Sequence, residues 1–132
     1  MVVVQTYSPG VQMASYSKRL LSGSSQGRHI KVAATSSPGT TIHATGTSSS
    51  IYDELWLYAT NTSASDVLLT IQFGGTTSPD DQIQLTVVSR NGLYVVVPGI
   101  PLTGTGSAAT TVRAFAATAN VINISGYVNR IS

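Results

Sequence analysis

The sequence predicts an all-β protein, an antiparallel β-sandwich that is jelly-roll-like with about eight strands, behind an extended N-terminal arm. Three observations predict it. From residue 29 onward, Val, Ile, Thr and Tyr gather in short runs bounded by Gly, Pro, Ser, Asn and Asp, the punctuation of strands and turns. Several runs alternate apolar and polar residues, as a strand with one buried face must. No segment sustains a helical apolar period over three turns. Eight is the usual strand count of a jelly roll, although an open barrel or another Greek key has the same pattern.

The first runs, 29–35 with Ile30, Val32 and Ala34 on one face and 40–45, are joined by Ser36-Ser37-Pro38-Gly39, where Pro-Gly suits a type II turn. In 51–61, Ile51, Leu55, Leu57 and Ala59 share one face and Tyr52, Glu54, Trp56 and Tyr58 the other. Both faces of that strand are rich in large residues, so it lies mid-sheet or presents its aromatic face to a partner. Val67, Leu69, Ile71 and Phe73 point inward from 66–73, and Ile83, Leu85 and Val87 from 82–88. Asn91-Gly92 predicts a hairpin into 93–97, which Pro98-Gly99 ends. The last runs are 111–117 and 120–131, the latter with Ile122, Ile124 and Val128 in phase.

Residues 1–28 carry no sustained period, so the chain divides into an arm, 1–28, and a sandwich domain, 29–132. Lys18-Arg19-Leu20-Leu21 has room for one helical turn before the flexible joint Ser22-Gly23-Ser24-Ser25-Gln26-Gly27. The arm is expected to pack on the body or on a neighbour.

The 132 residues make one domain, with 9% charged residues where about a quarter is usual. Polarity comes instead from 18 Ser and 17 Thr. A net charge of +2 gives little self-repulsion and favours association. No acid precedes Asp53, whereas Lys18, Arg19, Arg28 and Lys31 do; this basic leading segment suits docking on an acidic protein surface. With only Tyr7 and Tyr16 to stack on bases and four dispersed charges, nucleic acid is not the expected partner. The apolar run 93–98 is far short of the roughly 18 residues of a membrane helix, so no membrane partner is expected. The N-terminus lacks the pattern of a signal peptide, and the mature chain is expected to start there.

Zero cysteines exclude thiol catalysis, disulfides and Cys-based zinc sites. Gly104-Thr105-Gly106-Ser107-Ala108-Ala109 spells a dinucleotide fingerprint but runs into a β-branched segment instead of a helix. Asp66, Asp80 and Asp81 lack calcium-loop spacing, and Asp53 and Glu54 read as solvated residues at a strand start. His29 and His43 lie in adjacent candidate strands, but without a nearby acid they form neither a triad nor a zinc site. No G-x-S-x-G elbow occurs. The sequons at Asn61 and Asn123 read as chance in so hydroxyl-rich a chain. No enzyme, cofactor or metal site is expected.

The stretch from Tyr52 to Ser63, with Thr70-Ile71-Gln72-Phe73-Gly74-Gly75, Pro98-Gly99 and the ending from Val121 to Ile131, resembles small virion proteins of tailed phages, above all capsid decoration (cement) proteins. The resemblance covers residues 29–132. It implies a β-sandwich that forms a homo-oligomer, with a trimer favoured over a dimer, and clamps neighbouring major capsid protein subunits on the outer surface of the virion. In that setting Lys18, Arg19, Arg28 and Lys31 are expected to contact the capsid, and Tyr52, Trp56 and Tyr58 to form the oligomer interface. Two other readings are a glycan-binding fibre tip or adhesin, stacking sugars on Trp56 with Tyr58 or Tyr94, and another virion part such as a head–tail adaptor or tail subunit.

Overall fold

The computed structural model describes residues 14–132, and these form an all-β sandwich without helices. Its strands are β1 (Tyr16–Leu20), β2 (Ile30–Lys31), β3 (Thr40–Ala44), β4 (Tyr52–Asn61), β5 (Val67–Phe73), β6 (Gln82–Val87), β7 (Tyr94–Leu102), β8 (Thr111–Ala116) and β9 (Ile122–Ile131). Two antiparallel sheets result. The first has the order β1-β9-β4-β7, with β2 also on β9, and the second β3-β8-β5-β6.

Period two fixes what lies between the sheets. Leu55, Leu57 and Ala59 of β4 and Ile122, Ile124 and Val128 of β9 meet Leu69 and Ile71 of β5 and Val112, Ala114 and Ala116 of β8, all buried. Ile30 and Val32 join the same core. Ile51, expected there, lies just before β4 and is exposed.

Five expectations need correction. Tyr16–Leu20 is a strand paired to the end of β9, not a helical turn. A helical nucleus fixes several residues for one hydrogen bond, whereas β9 offers a ready ladder. Leu21 then turns into the core, so residues 14–28 belong to the sandwich and the boundary at 28 does not hold for them. The remainder of the expected arm, 1–13, lies outside the described residues.

The chain turns at Ser89-Arg90, just before Asn91-Gly92, with Arg90 at φ 50° and Gly92 at φ 79°, but β6 pairs with β5 and β7 with β4. The turn therefore crosses between sheets: the dipeptide signals a nearby reversal and says nothing of which strands pair. Pro98-Gly99 does not end β7, which continues to Leu102 as an edge strand, where proline is tolerated. Gly39 does not adopt the positive φ of a type II turn. It is small because a Cβ there would lie 2.5 Å from the Ala114 carbonyl oxygen on β8.

Candidate functional site

In antiparallel pairs, residues directly opposite share a face, so the register dictates the outer surface of the first sheet. Across β1, β9 and β4 run three rows: Tyr16–Ile131–Tyr52, Lys18–Asn129–Glu54 and Leu20–Tyr127–Trp56. Tyr58 sits opposite Ser125 on β9 and Val95 on β7, and Trp56 opposite Pro98. Tyr16 is 72% exposed, Leu20 56%, Val95 55% and Tyr52 48%. Large apolar side chains thus share one solvent face, the kind of patch that marks an interaction surface.

The middle of this face is held rigid. Trp56 stacks on Tyr127 at 6.1 Å between ring centroids and 11° between planes, while the Lys18 ammonium lies 4.7 Å from the Tyr127 centroid. Since β1 and β4 flank β9 on opposite sides, Tyr127 is approached from both. Gly99, at φ 77°, leaves room for the indole, because a Cβ there would stand 2.6 Å from Trp56 Cζ2. The indole N–H donates to Glu54 Oε1 at 2.9 Å and the Asn129 amide to the same oxygen at 3.1 Å. These two bonds hold the Glu54 carboxyl below its ordinary pKa.

The expected interface residues Tyr52, Trp56 and Tyr58 therefore lie on one face. Tyr16, Leu20, Val95, Tyr127 and Ile131 extend it. The alternation of Tyr16, Lys18 and Leu20 was the available signal, hidden by the helical reading of that segment. Lys18, Arg19, Arg28 and Lys31 are all exposed, and all four lie on β1, on β2 or just before β2, along one side of the first sheet. Lys18 is turned onto Tyr127, Arg19 Nε donates to Ser17 Oγ, and Arg28 and Lys31 line a groove with Gly23, Ser25 and His29.

Beneath the face is a polar cluster absent from the sequence reading. Asp53 is buried instead of solvated, because its parity places it inward with Leu55 and Leu57. Arg130 grips it from β9 with Nε to Oδ1 at 2.7 Å and Nη2 to Oδ2 at 2.9 Å, and His43 Nε2 lies 2.7 Å from Oδ2. The Ser22 backbone N–H donates to His43 Nδ1 at 3.0 Å, which leaves the imidazole proton on Nε2, facing Asp53. Burial raises the Asp53 pKa, but the bonds from Arg130 and His43 outweigh it and leave the carboxyl below its ordinary value.

An acid is thus beside His43, contrary to the sequence reading, and His29 is not its neighbour: β2 and β3 lie in different sheets. Ser22 Oγ is occupied by the Ala44 N–H, and both imidazole nitrogens are engaged, so the Ser–His–Asp set is arranged as a strut between sheets and not as nucleophile and base.

Elsewhere, Gly104 and Gly106 bond back to Ser48 and Thr47, and the chain enters β8, with no helix to receive a pyrophosphate. Asn61 is buried and its amide donates to the Ser65 and Val87 carbonyls, which closes that sequon. Among the described residues, no three His, Cys, Asp or Glu side chains gather as metal ligands would.

No protein-family model matches this chain, and neither a curated protein nor a solved structure is found similar to it.

Proposed function

We propose that the protein is a structural part of a phage virion, a capsid decoration or cement protein. It binds the outer shell and stabilises it by bridging major capsid protein subunits. The observation that carries this reading is the apolar outer face of the first sheet, bordered by four exposed basic residues and set on a nearly uncharged body. Such a module works through contact surfaces. Binding only the assembled shell would stabilise it by mass action.

The strand order supports the finer reading of the fold as a jelly roll. With β1 and β2 taken as one interrupted strand, the eight run 1-8-3-6 in one sheet and 2-7-4-5 in the other, the order of a doubled Greek key. Every later connection except β5–β6 crosses between sheets. Jelly rolls serve as viral capsid and lectin domains. Tyr52, Trp56 and Tyr58, with Tyr127, are assigned to a homo-oligomer interface, with a trimer favoured. The exposed aromatics also suit a glycan-binding module stacking sugars on Trp56 with Tyr58 or Tyr94, although Trp56 already stacks on Tyr127.

Electron microscopy of the intact particle tests the reading. Density for the chain is expected on the outer shell, over joints between capsid subunits. Density confined to the head–tail junction or tail would reject cementing, and selective binding on a glycan array would favour the adhesin.

A further inference from the structure

Among the described residues the outer edge of β1 has no strand partner, and we propose that it is a strand-addition site for an acidic, extended segment of another protein. Ser15 and Ser132 exchange both backbone hydrogen bonds, at 2.9 and 3.0 Å, and pairing continues without a bulge from Tyr16↔Ile131 to Leu20↔Tyr127. Bonded and non-bonded pairs alternate in an antiparallel ladder. Ser17 and Arg19 therefore turn their N–H and C=O toward β9, while Tyr16, Lys18 and Leu20 turn theirs away from it, at the spacing an added strand requires.

The side chains of β1 are exposed along its whole length. Ordering a residue costs about 1–2 kcal/mol, and a backbone bond returns only about 1 kcal/mol net. Without burial, the strand gains from a second ladder.

The other sheet edges are less suited. On β7, Pro98 and Pro101 lack N–H groups. The edge strand β3 already accepts Gly23 N–H at the Ile42 carbonyl and donates Ala44 N–H to Ser22 Oγ. β6 carries no charge to select a partner.

Charge identifies the occupant. Lys18 and Arg19 lie on β1, Arg28 and Lys31 line the groove beside it, and residues 14–52 contain no acid. Like charges directly opposite disfavour pairing with the same strand of a second copy, whereas carboxylates on an added strand would meet opposite charge.

The probe is a short peptide of alternating Glu and Val, with a Lys-Val peptide as control, and the readout is amide hydrogen exchange in the full chain. Saturating Glu-Val peptide is expected to slow exchange at Tyr16, Lys18 and Leu20 by about tenfold or more, leaving Ser17 and Arg19 unchanged. Lys18→Pro removes one outward N–H without touching the β9 ladder and should abolish binding. Lys18→Gln keeps that N–H and should only weaken it. No protection with Glu-Val peptide, equal protection by Lys-Val peptide, or undiminished binding by Lys18→Pro would overturn the assignment. The assay uses no virion, so loss of shell occupancy with peptide binding intact rejects cementing alone, and the converse rejects the edge site alone.

Discussion

Across their inner faces the two sheets follow one pattern, Leu55, Leu57 and Ala59 on β4 against Val67, Leu69 and Ile71 on β5. Outward they diverge. The first sheet presents Tyr16, Leu20, Tyr52, Trp56, Tyr58 and Tyr127. On the outer side of the second sheet lie Gln82, Gln84 and Thr86, with Leu68, Arg113 and Phe115 among them, and Thr70 and Gln72, which are buried even on this side. Gln84 donates to Thr70, and Gln72 is tied at both amide atoms to Gly39 and Ser37, so the buried amide is satisfied by the covering loop. Interior packing specifies a sandwich twice over, and the outer residues specify which side remains available to a partner.

The strongest way to break this comparison is to cut what joins the sheets. Asp53→Ala leaves His43 on β3 and Arg130 on β9 without their shared acceptor and is expected to cost about 3–5 kcal/mol, read from urea unfolding. If only one sheet loosened, probes of the two sheets would give different transitions. The depressed pKa of Asp53 also sets a pH dependence. Folded Asp53 holds its proton less tightly than unfolded Asp53, so its contribution is present above the unfolded value of about 3.9 and is lost as pH falls through the lower folded value. Asp53→Asn should flatten that acid limb.

The next test sets one face against the other. Tyr52→Glu with Tyr58→Glu places charges on the proposed interface and should weaken self-association at least tenfold, about 1.4 kcal/mol, in sedimentation. Leu68→Glu with Thr86→Glu makes the same change on the second sheet and should leave association unchanged. Equal effects would remove the distinction between the faces.

A smaller effect is expected at Gly99. Alanine there combines a positive φ with a Cβ against the indole and should cost about 1–3 kcal/mol. Trp56 is the single tryptophan, so its fluorescence reports on this face alone. A shifted emission is expected in Gly99→Ala and none in Thr86→Ala.

The inner faces were legible in the sequence because alternation is local: Leu69, Ile71, Ile83, Leu85 and Val87 followed from spacing alone. The same parity placed Asp53 inward, yet residue type suggested solvent. Its partners, ten and seventy-seven positions away, are brought to it only by pairing of β9 with β4 and by the passage of β3 into the other sheet. The outer face was half legible for a similar reason. Tyr52, Trp56 and Tyr58 lie on one strand, whereas Tyr127 and Leu20 join them through register. Crossover turns such as the one at Ser89-Arg90 leave no local mark of which sheet comes next.

The smallest expected effect concerns Lys18, on which the two roles of the basic edge diverge. Its ammonium lies over Tyr127 on an exposed surface, where such a contact contributes about 0.5–1 kcal/mol. Lys18→Met retains an apolar stem while removing the charge, and Tyr127→Leu removes the ring. A double-mutant cycle of the two, measured by urea unfolding, should give a coupling of about 0.5 kcal/mol, because each single change forfeits the same contact. Trp56 fluorescence should shift in Tyr127→Leu and barely move in Lys18→Met, since the indole stacks on the tyrosine alone. Zero coupling would mean that the ammonium leaves the ring in solution. The rigid aromatic row would then end at Tyr127, with Lys18 outside it.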